Sequence, residues 1–259
     1  MGNVRIQVVI PAYNEKAFLE GIIRKIVGCE ADEVIIVDDG STDGSPRIIK
    51  RLVKSNLKIK CLRIETNSGG CGFPRELGTF VADSEYVAFC DSDITNIDEV
   101  DYGRILEAAK TRTADLIIGN YSGKIGRVTN LVAKPMLRLF FPEIHINRVK
   151  TGQFCASRKL LKHFLKSTKF SRWNSTIPLI IVAYMNDYEV IEVNIGELHH
   201  TMRPDSELIW QAESAIKLIL TWAGYCDRTS IISNLTFLSP RKEAELLPFI
   251  KSQIEKGGL

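Results

Sequence analysis

Glu33-Val-Ile-Ile-Val-Asp-Asp-Gly-Ser-Thr-Asp43 decides the fold. Val34 to Val37 are all β-branched and carry no polar alternation. Such a run suits a strand buried on both faces, as in parallel sheets covered by helices. It stops at an acidic, glycine-bearing loop, and Ile48, Ile49, Leu52 and Val53 then recur at helical spacing. Upstream, Ile6-Gln-Val-Val-Ile10 is a second β-branched run, broken by Pro11-Ala-Tyr-Asn-Glu15. Phe18, Leu19, Ile22, Ile23 and Ile26 follow at helical spacing, with Asn14 and Glu15 as expected helix-start residues. Strand, polar loop, helix and strand again is the βαβ pattern, which predicts an α/β protein with a mostly parallel sheet flanked by helices. The polar residues collect at the carboxyl ends of the strands, the edge where open α/β sheets bind ligands.

A third run, Tyr86-Val-Ala-Phe-Cys90, ends in Asp91-Ser92-Asp93. Two carboxylates one residue apart at a strand end suit a hard divalent cation, Mg²⁺ or Mn²⁺, held against a diphosphate. Such ions take one or two oxygens from protein, and phosphate and water complete the shell. An isolated Asp-x-Asp is more often a turn or a helix cap. Its weight here comes from the two upstream strand-end loops.

The 259 residues, 45% hydrophobic, bury a sizeable core in one domain with a C-terminal elaboration. A net charge of +3 gives no ground for a nucleic-acid partner or an anionic membrane surface. The six cysteines form no Cys-x-x-Cys pair and suit reduced core thiols. No apolar run approaches the ~20 residues of a spanning helix; Ile177-Pro-Leu-Ile-Ile-Val-Ala183 reads as buried core. With no signal-peptide pattern near Met1, a cytoplasmic protein is expected. Oligomeric state is open, with a homodimer among the options.

Val8-Val-Ile-Pro-Ala-Tyr-Asn-Glu15, Val37-Asp-Asp-Gly-Ser-Thr-Asp43 and Asp91-Ser-Asp93 together resemble, in order and spacing, the nucleotide-sugar glycosyltransferases of GT-A fold, especially family 2. The resemblance implies that Pro11, Ala12, Tyr13, Glu15 and Asp39 line the nucleoside pocket. Asp91, Ser92 and Asp93 would then serve the ribose and the metal-bound diphosphate. The middle of the chain narrows it. Gly126-Arg-Val-Thr-Asn-Leu131 with Lys134-Pro135, Phe140-Phe-Pro-Glu143 and Thr151-Gly-Gln-Phe154 resemble the glucosyl-3-phosphoglycerate synthases and related mannosyl enzymes. Those transfer a sugar to the 2-hydroxyl of 3-phosphoglycerate with retention. The resemblance implies an acceptor site of Gly126, Arg127, Val128, Thr129, Lys134, Gly152 and Gln153. Residue chemistry agrees. A glycine-bearing loop opening a helix offers N–H groups, Arg127 grips an anion bidentately and Thr129 adds a hydroxyl. A solvated loop is the plain alternative.

His199-His200 follows the strand-like Val190-Ile-Glu-Val-Asn-Ile195. By resemblance a histidine here joins Asp93 at the metal, with His200 favoured over His199, and Arg203 is a candidate for the diphosphate. Two departures stand out. The family's lysine beside the nucleobase has no counterpart in Asn67-Ser-Gly-Gly-Cys-Gly-Phe-Pro-Arg75, where Gly69 or Gly70 takes its place; either Arg75 substitutes for it or the base preference differs. The family's acidic residue in the acceptor half is replaced within Asn174-Ser175-Thr176.

The expected organisation is a nucleotide-sugar half (1–119), an acceptor half of the same domain (120–225) and a peripheral helical segment (226–259). The expected activity is retaining transfer of glucose or mannose to a small anionic acceptor. UDP-glucose is the favoured donor and GDP-mannose the second, and Asp91, Asp93 and Arg127 carry the chemistry. A family 2 polyprenyl-phosphate glycosyltransferase is the alternative enzyme. A non-catalytic nucleotide-sugar binding protein would be expected to have lost the aspartates. A nucleotidyltransferase would start with a Gly-rich basic loop, which Pro11-Ala-Tyr-Asn-Glu15 is not.

Overall fold

The computed structural model describes residues 4–123, 125–200 and 205–225. Arg203 and the 226–259 segment lie outside them. Strands β1 (Ile6–Ala12), β2 (Glu33–Asp39), β3 (Ile59–Ile64), β4 (Tyr86–Phe89), β5 (Leu116–Ser122), β6 (Phe154–Ser157) and β7 (Val190–Glu197) form one sheet in the order β3-β2-β1-β4-β6-β5-β7. Six strands share a direction, and β6 runs against both neighbours, β4 and β5. The sheet is therefore mostly parallel, as the unalternated apolar runs require.

Burial follows the pleat. Val9, Ile35, Val37 and Phe89 pack on one face, and Val8, Ile10, Val34 and Ile36 on the other. Helix α1 (Leu19–Gly28) buries Leu19, Ile22, Ile23 and Ile26 as its periodicity dictates. Helix α2 (Ser45–Ser55) and α3 (Gly72–Val81) follow β2 and β3, and α4 (Gly103–Lys110) precedes β5. Next come a π-helical turn (Thr129–Ala133), α5 (Lys134–Phe140), α6 (Arg158–Ser167), α7 (Thr176–Met185) and α8 (Asp205–Trp222). Helix α7 is buried from Thr176 to Ala183, so its apolar run is core. Among the described residues no helix is long and apolar enough to cross a membrane. The 119/120 position falls inside β5, where Asn120 pairs with Asn194 of β7.

The strand order reverses between β1 and β4, and the crevice at such a switch point is the ligand site of open α/β sheets. Because β6 is reversed, its start lies at the same edge: Phe154 pairs with Phe89, the last residue of β4.

Candidate active site

The carboxyl ends of β1, β2, β4 and β5 and the start of β6 open onto one cleft of about 440 Å³. Pro11, Ala12, Tyr13, Glu15, Asp39 and Gly70 line one end. The Asp39 carboxylate accepts from Ser68 N (2.9 Å), Ser68 Oγ (2.8 Å) and Asn67 Nδ2 (3.0 Å). Burial nonetheless pushes its pKa up to about 6, and the Ser68 bonds only partly oppose this. Asp38 instead closes the loop, accepting from Ser41 N at 2.9 Å and pairing with Arg63. Asn14 does not start a helix. At φ 57° its Oδ1 accepts from Thr42 N (2.8 Å) and Asp43 N (3.3 Å), tying the β1 loop to the β2 loop, and α1 begins only at Leu19.

Asp91, Ser92 and Asp93 lie at the centre. Ser92 Oγ donates to the Pro11 carbonyl at 2.7 Å, fastening the β4 end to the β1 end. Asp91 accepts from Arg75 Nη2 at 2.6 Å. Arg75 is 3% exposed and also donates to Cys71 Sγ at 3.2 Å, so it braces Asp91 from beneath. Behind Asp91 sits Gly152. A Cβ there would come closer than 3.0 Å to both carboxylate oxygens and Cγ of Asp91. Glycine at 152 is thus a condition for the position of Asp91.

The two histidines separate cleanly. Ile94 pairs antiparallel with His200, and Thr95 N donates to the His199 carbonyl at 2.9 Å. Successive side chains of an extended segment point to opposite sides. His200 lines the cleft with Asp91 and Asp93, whereas His199 points away and lies 3.0 Å from Glu197. His199 is therefore corrected as a metal candidate. Among the described residues no group of three His, Cys, Asp or Glu side chains gathers to hold an ion. Asp93 and His200 in a shared cleft fit a cation whose shell is completed by phosphate and water.

On the β5–β6 side, Gly126, Arg127, Val128, Thr129, Gly152 and Gln153 all line the cleft. Lys134 does not. It lines a separate pocket of about 190 Å³ with Arg138 and His145, because the π-helical turn carries the chain away from the cleft before α5 begins. Sequence reasoning missed Arg148, Lys150 and Arg172, which also line the cleft. Arg148 donates to the Tyr121 and Gly123 carbonyls and lies 4.0 Å over the Tyr121 ring. Lys150 Nζ donates to Gln211 Oε1 of α8 at 2.5 Å. The alternation Arg148-Val149-Lys150, with Val149 buried, was the available signal. Of the cleft acids, Asp39 ends β2 and Glu15, Asp91 and Asp93 follow β1 or β4; of the cations, Arg75 comes from α3, and Arg127, Arg148, Lys150 and Arg172 come from beyond β5.

Residues 7–162 match the model of Glycosyl transferase family 2. The chain is 30% identical over 173 residues to poly(ribitol-phosphate) beta-glucosyltransferase of Bacillus spizizenii, covering 65% of this chain but 27% of that protein. It thus spans about a quarter of that relative's length. It is 29% identical over 248 residues to glucosyl-3-phosphoglycerate synthase of Mycobacterium tuberculosis, covering 86% of this chain and 74% of that protein. A crystal structure of that synthase with Mn²⁺, UDP-glucose and phosphoglyceric acid matches with a TM-score of 0.73 at 27% identity, covering 87% of this chain and 81% of that one. Another, with Mg²⁺ and UDP, matches with a TM-score of 0.72 at 27% identity, over 87% of this chain and 81% of that one.

Proposed function

The chain belongs to glycosyl transferase family 2, and from that premise we propose that it transfers a hexose from a nucleotide-diphosphate sugar to a small phosphorylated acceptor, with 3-phosphoglycerate the first candidate. UDP-glucose is the favoured donor and GDP-mannose the second, with Mg²⁺ or Mn²⁺ as cofactor. One observation carries this reading: the cleft carboxylates stand at or just after the ends of β1, β2 and β4, and the cleft's arginines and lysines, apart from the Arg75 that is bound to Asp91, come from beyond β5. Acids suit a metal-bound diphosphate, and Arg127, Arg148 and Lys150 suit an anionic acceptor.

In this reading residues 1–119 hold the donor and 120–225 complete the acceptor side. Asp39, kept in place by Asn67 and Ser68, takes the nucleobase. Asp91, braced by Arg75, takes the ribose, and Asp93 with His200 would hold the metal. The bound metal would neutralise charge growing on the leaving diphosphate. Arg127 and the N–H groups of the 126–129 turn orient the acceptor phosphate or carboxylate. The acceptor side of the cleft contributes no carboxylate among the described residues. Retaining transfer, in which the departing diphosphate takes the acceptor proton, needs no such base, and neither does an acceptor phosphate that is already ionised.

The test is nucleotide release with UDP-glucose or GDP-mannose and Mn²⁺, with and without 3-phosphoglycerate, and NMR assignment of the product anomer. Acceptor-dependent release with an α-linked product is expected. Release that ignores every phosphorylated acceptor, or transfer only to a polyprenyl phosphate, would overturn the acceptor assignment.

A further inference from the structure

The turn at residues 67–72 is shared by two charged groups from opposite parts of the chain. On one side Asn67 and Ser68 hold the Asp39 carboxylate. On the other lies Arg172, whose Nε donates to the Gly69 carbonyl. The fit is close. A Cβ on Gly70 would meet the Arg172 carbonyl oxygen at 2.7 Å, and one on Gly72 would meet the Ser171 carbonyl oxygen at 2.6 Å. The glycines are what allow the 170–172 backbone to lie against this turn. The Arg172 guanidinium is then 5.3 Å from the centre of the Trp210 ring, which meets Trp173 edge-on at 5.8 Å. Arg172, Trp173, Asp39, Gly69 and Gly70 all line the cleft.

We infer that Arg172, which contacts the same 67–72 turn that holds Asp39, selects the nucleobase of the donor together with Asp39 and favours a keto base over an amino base. The inference rests on the donor reading above and extends it to the base. A guanidinium offers only donors and an ionised carboxylate only acceptors. A base satisfies both at once if it presents a carbonyl oxygen beside a ring N–H. Uracil does so with O4 and N3–H, and guanine with O6 and N1–H. Cytosine and adenine present an amino group beside a bare ring nitrogen. Placed the same way, they would point N–H at the guanidinium and a lone pair at the carboxylate, leaving both charged groups unmatched.

The test is titration calorimetry with Mn²⁺ on the full chain, using UDP, GDP, CDP, ADP and inorganic pyrophosphate, for wild type, Arg172→Met and Arg172→Lys. Wild type should bind UDP or GDP at least about 10-fold tighter than CDP and ADP, the scale of one charge-assisted hydrogen bond. Arg172→Met should narrow that gap to within about threefold and leave pyrophosphate unchanged. Arg172→Lys keeps the charge but not the planar fork, so it should also lose discrimination, and it covers the case in which the Met variant misfolds. If Arg172→Met weakens all four nucleotides and pyrophosphate by one factor, the residue is a diphosphate clamp. If both variants bind like wild type, it only braces the turn. Either result overturns the inference while the donor reading stands. A wild type that binds no nucleoside diphosphate overturns both.

Discussion

Gly152→Ala tests whether the cleft depends on the exact seat of one carboxylate. A methyl at 152 would sit inside 3.0 Å of Cγ and both oxygens of Asp91. Reaching ordinary van der Waals contact takes a retreat of more than about 1 Å. That movement opens the 2.6 Å contact between Asp91 and Arg75. Arg75 is buried, and its Nε already lacks a hydrogen-bond partner. Removing a partner of a fully buried pair costs about 3–5 kcal/mol. Asp91 is about one-third exposed, so about 1–3 kcal/mol is the proper scale here. At 2 kcal/mol the midpoint of thermal unfolding falls by about 4–8 °C in a chain of this size. A displacement of that size at the reacting centre also costs about 100-fold in kcat/KM. The assay is a double-mutant cycle with Asp91→Ala, read in thermal melts and in Mn²⁺-dependent UDP-glucose turnover. Gly152→Ala should act strongly in the wild-type background and add less than about 0.5 kcal/mol once the Asp91 side chain is gone. Equal penalties in both backgrounds, or a Gly152→Ala protein that melts and turns over like wild type, would refute the reasoning.

Three further outcomes follow from the same geometry. The Asp39 carboxyl, raised by burial to about 6, accepts a base N–H more strongly when ionised, so UDP-glucose affinity should be full above pH 7 and fall by up to about tenfold by pH 5. The diphosphate diester of this ligand does not titrate in that window, and Asp39→Asn should flatten the profile, whereas a pH-independent wild type would count against Asp39. Arg127→Ala should lower kcat/KM for the acceptor by about 10- to 100-fold while donor affinity barely changes; equal losses for both would make the 126–129 turn a diphosphate clamp. His200→Ala should weaken Mn²⁺-dependent nucleotide binding by about 10-fold or more and His199→Ala should not, a contrast that calorimetry at fixed nucleotide resolves and that equal effects would erase.

The parts legible in sequence are those set by local composition. The β-branched runs at 6–10 and 33–37 could only be strands buried on both faces, and the polar loops that end them had to share the sheet's carboxyl edge. Asp39, Asp91 and Asp93 reach the cleft for that reason alone. Where sequence reasoning failed, the deciding contact was distant. The parity of His199 and His200 is set by the pairing of Ile94 with His200. The resemblance puts Lys134 with Arg127 at the acceptor, but the π-helical turn separates them. Arg172 approaches Gly69 from across the chain, and nothing in Arg172-Trp-Asn-Ser announces that meeting. The direction of β6 was equally silent, since Phe-Cys-Ala-Ser carries no signal for which way a strand runs.

That reversed strand has a consequence for how such enzymes diversify. The chain leaves the sheet at Ser122 and re-enters at Phe154, both at the cleft edge. Among the described residues between them, the buried apolar side chains all pack in the cluster of Val9, Ile35 and Phe89, on one face of the sheet. The segment's inner face, Val128, Ala133, Leu137 and Phe141, packs into the core shared with α8, and its later part is bonded to β7 and α7, Arg148 N donating to Glu192 and Thr151 N to Thr176 Oγ1. The segment from 123 to 153 is thus tied to α8 through Lys150 and Gln211, to β7 through Glu192, to α7 through Thr176 and to β4 through Gly152 behind Asp91, and exchanging it between relatives obliges all four neighbours to change alongside it. The donor-holding strands β1, β2 and β4 would keep their register throughout. A new acceptor loop built in this insert would have to keep its glycine behind Asp91, so the seat of the donor's carboxylate limits what the acceptor side can become.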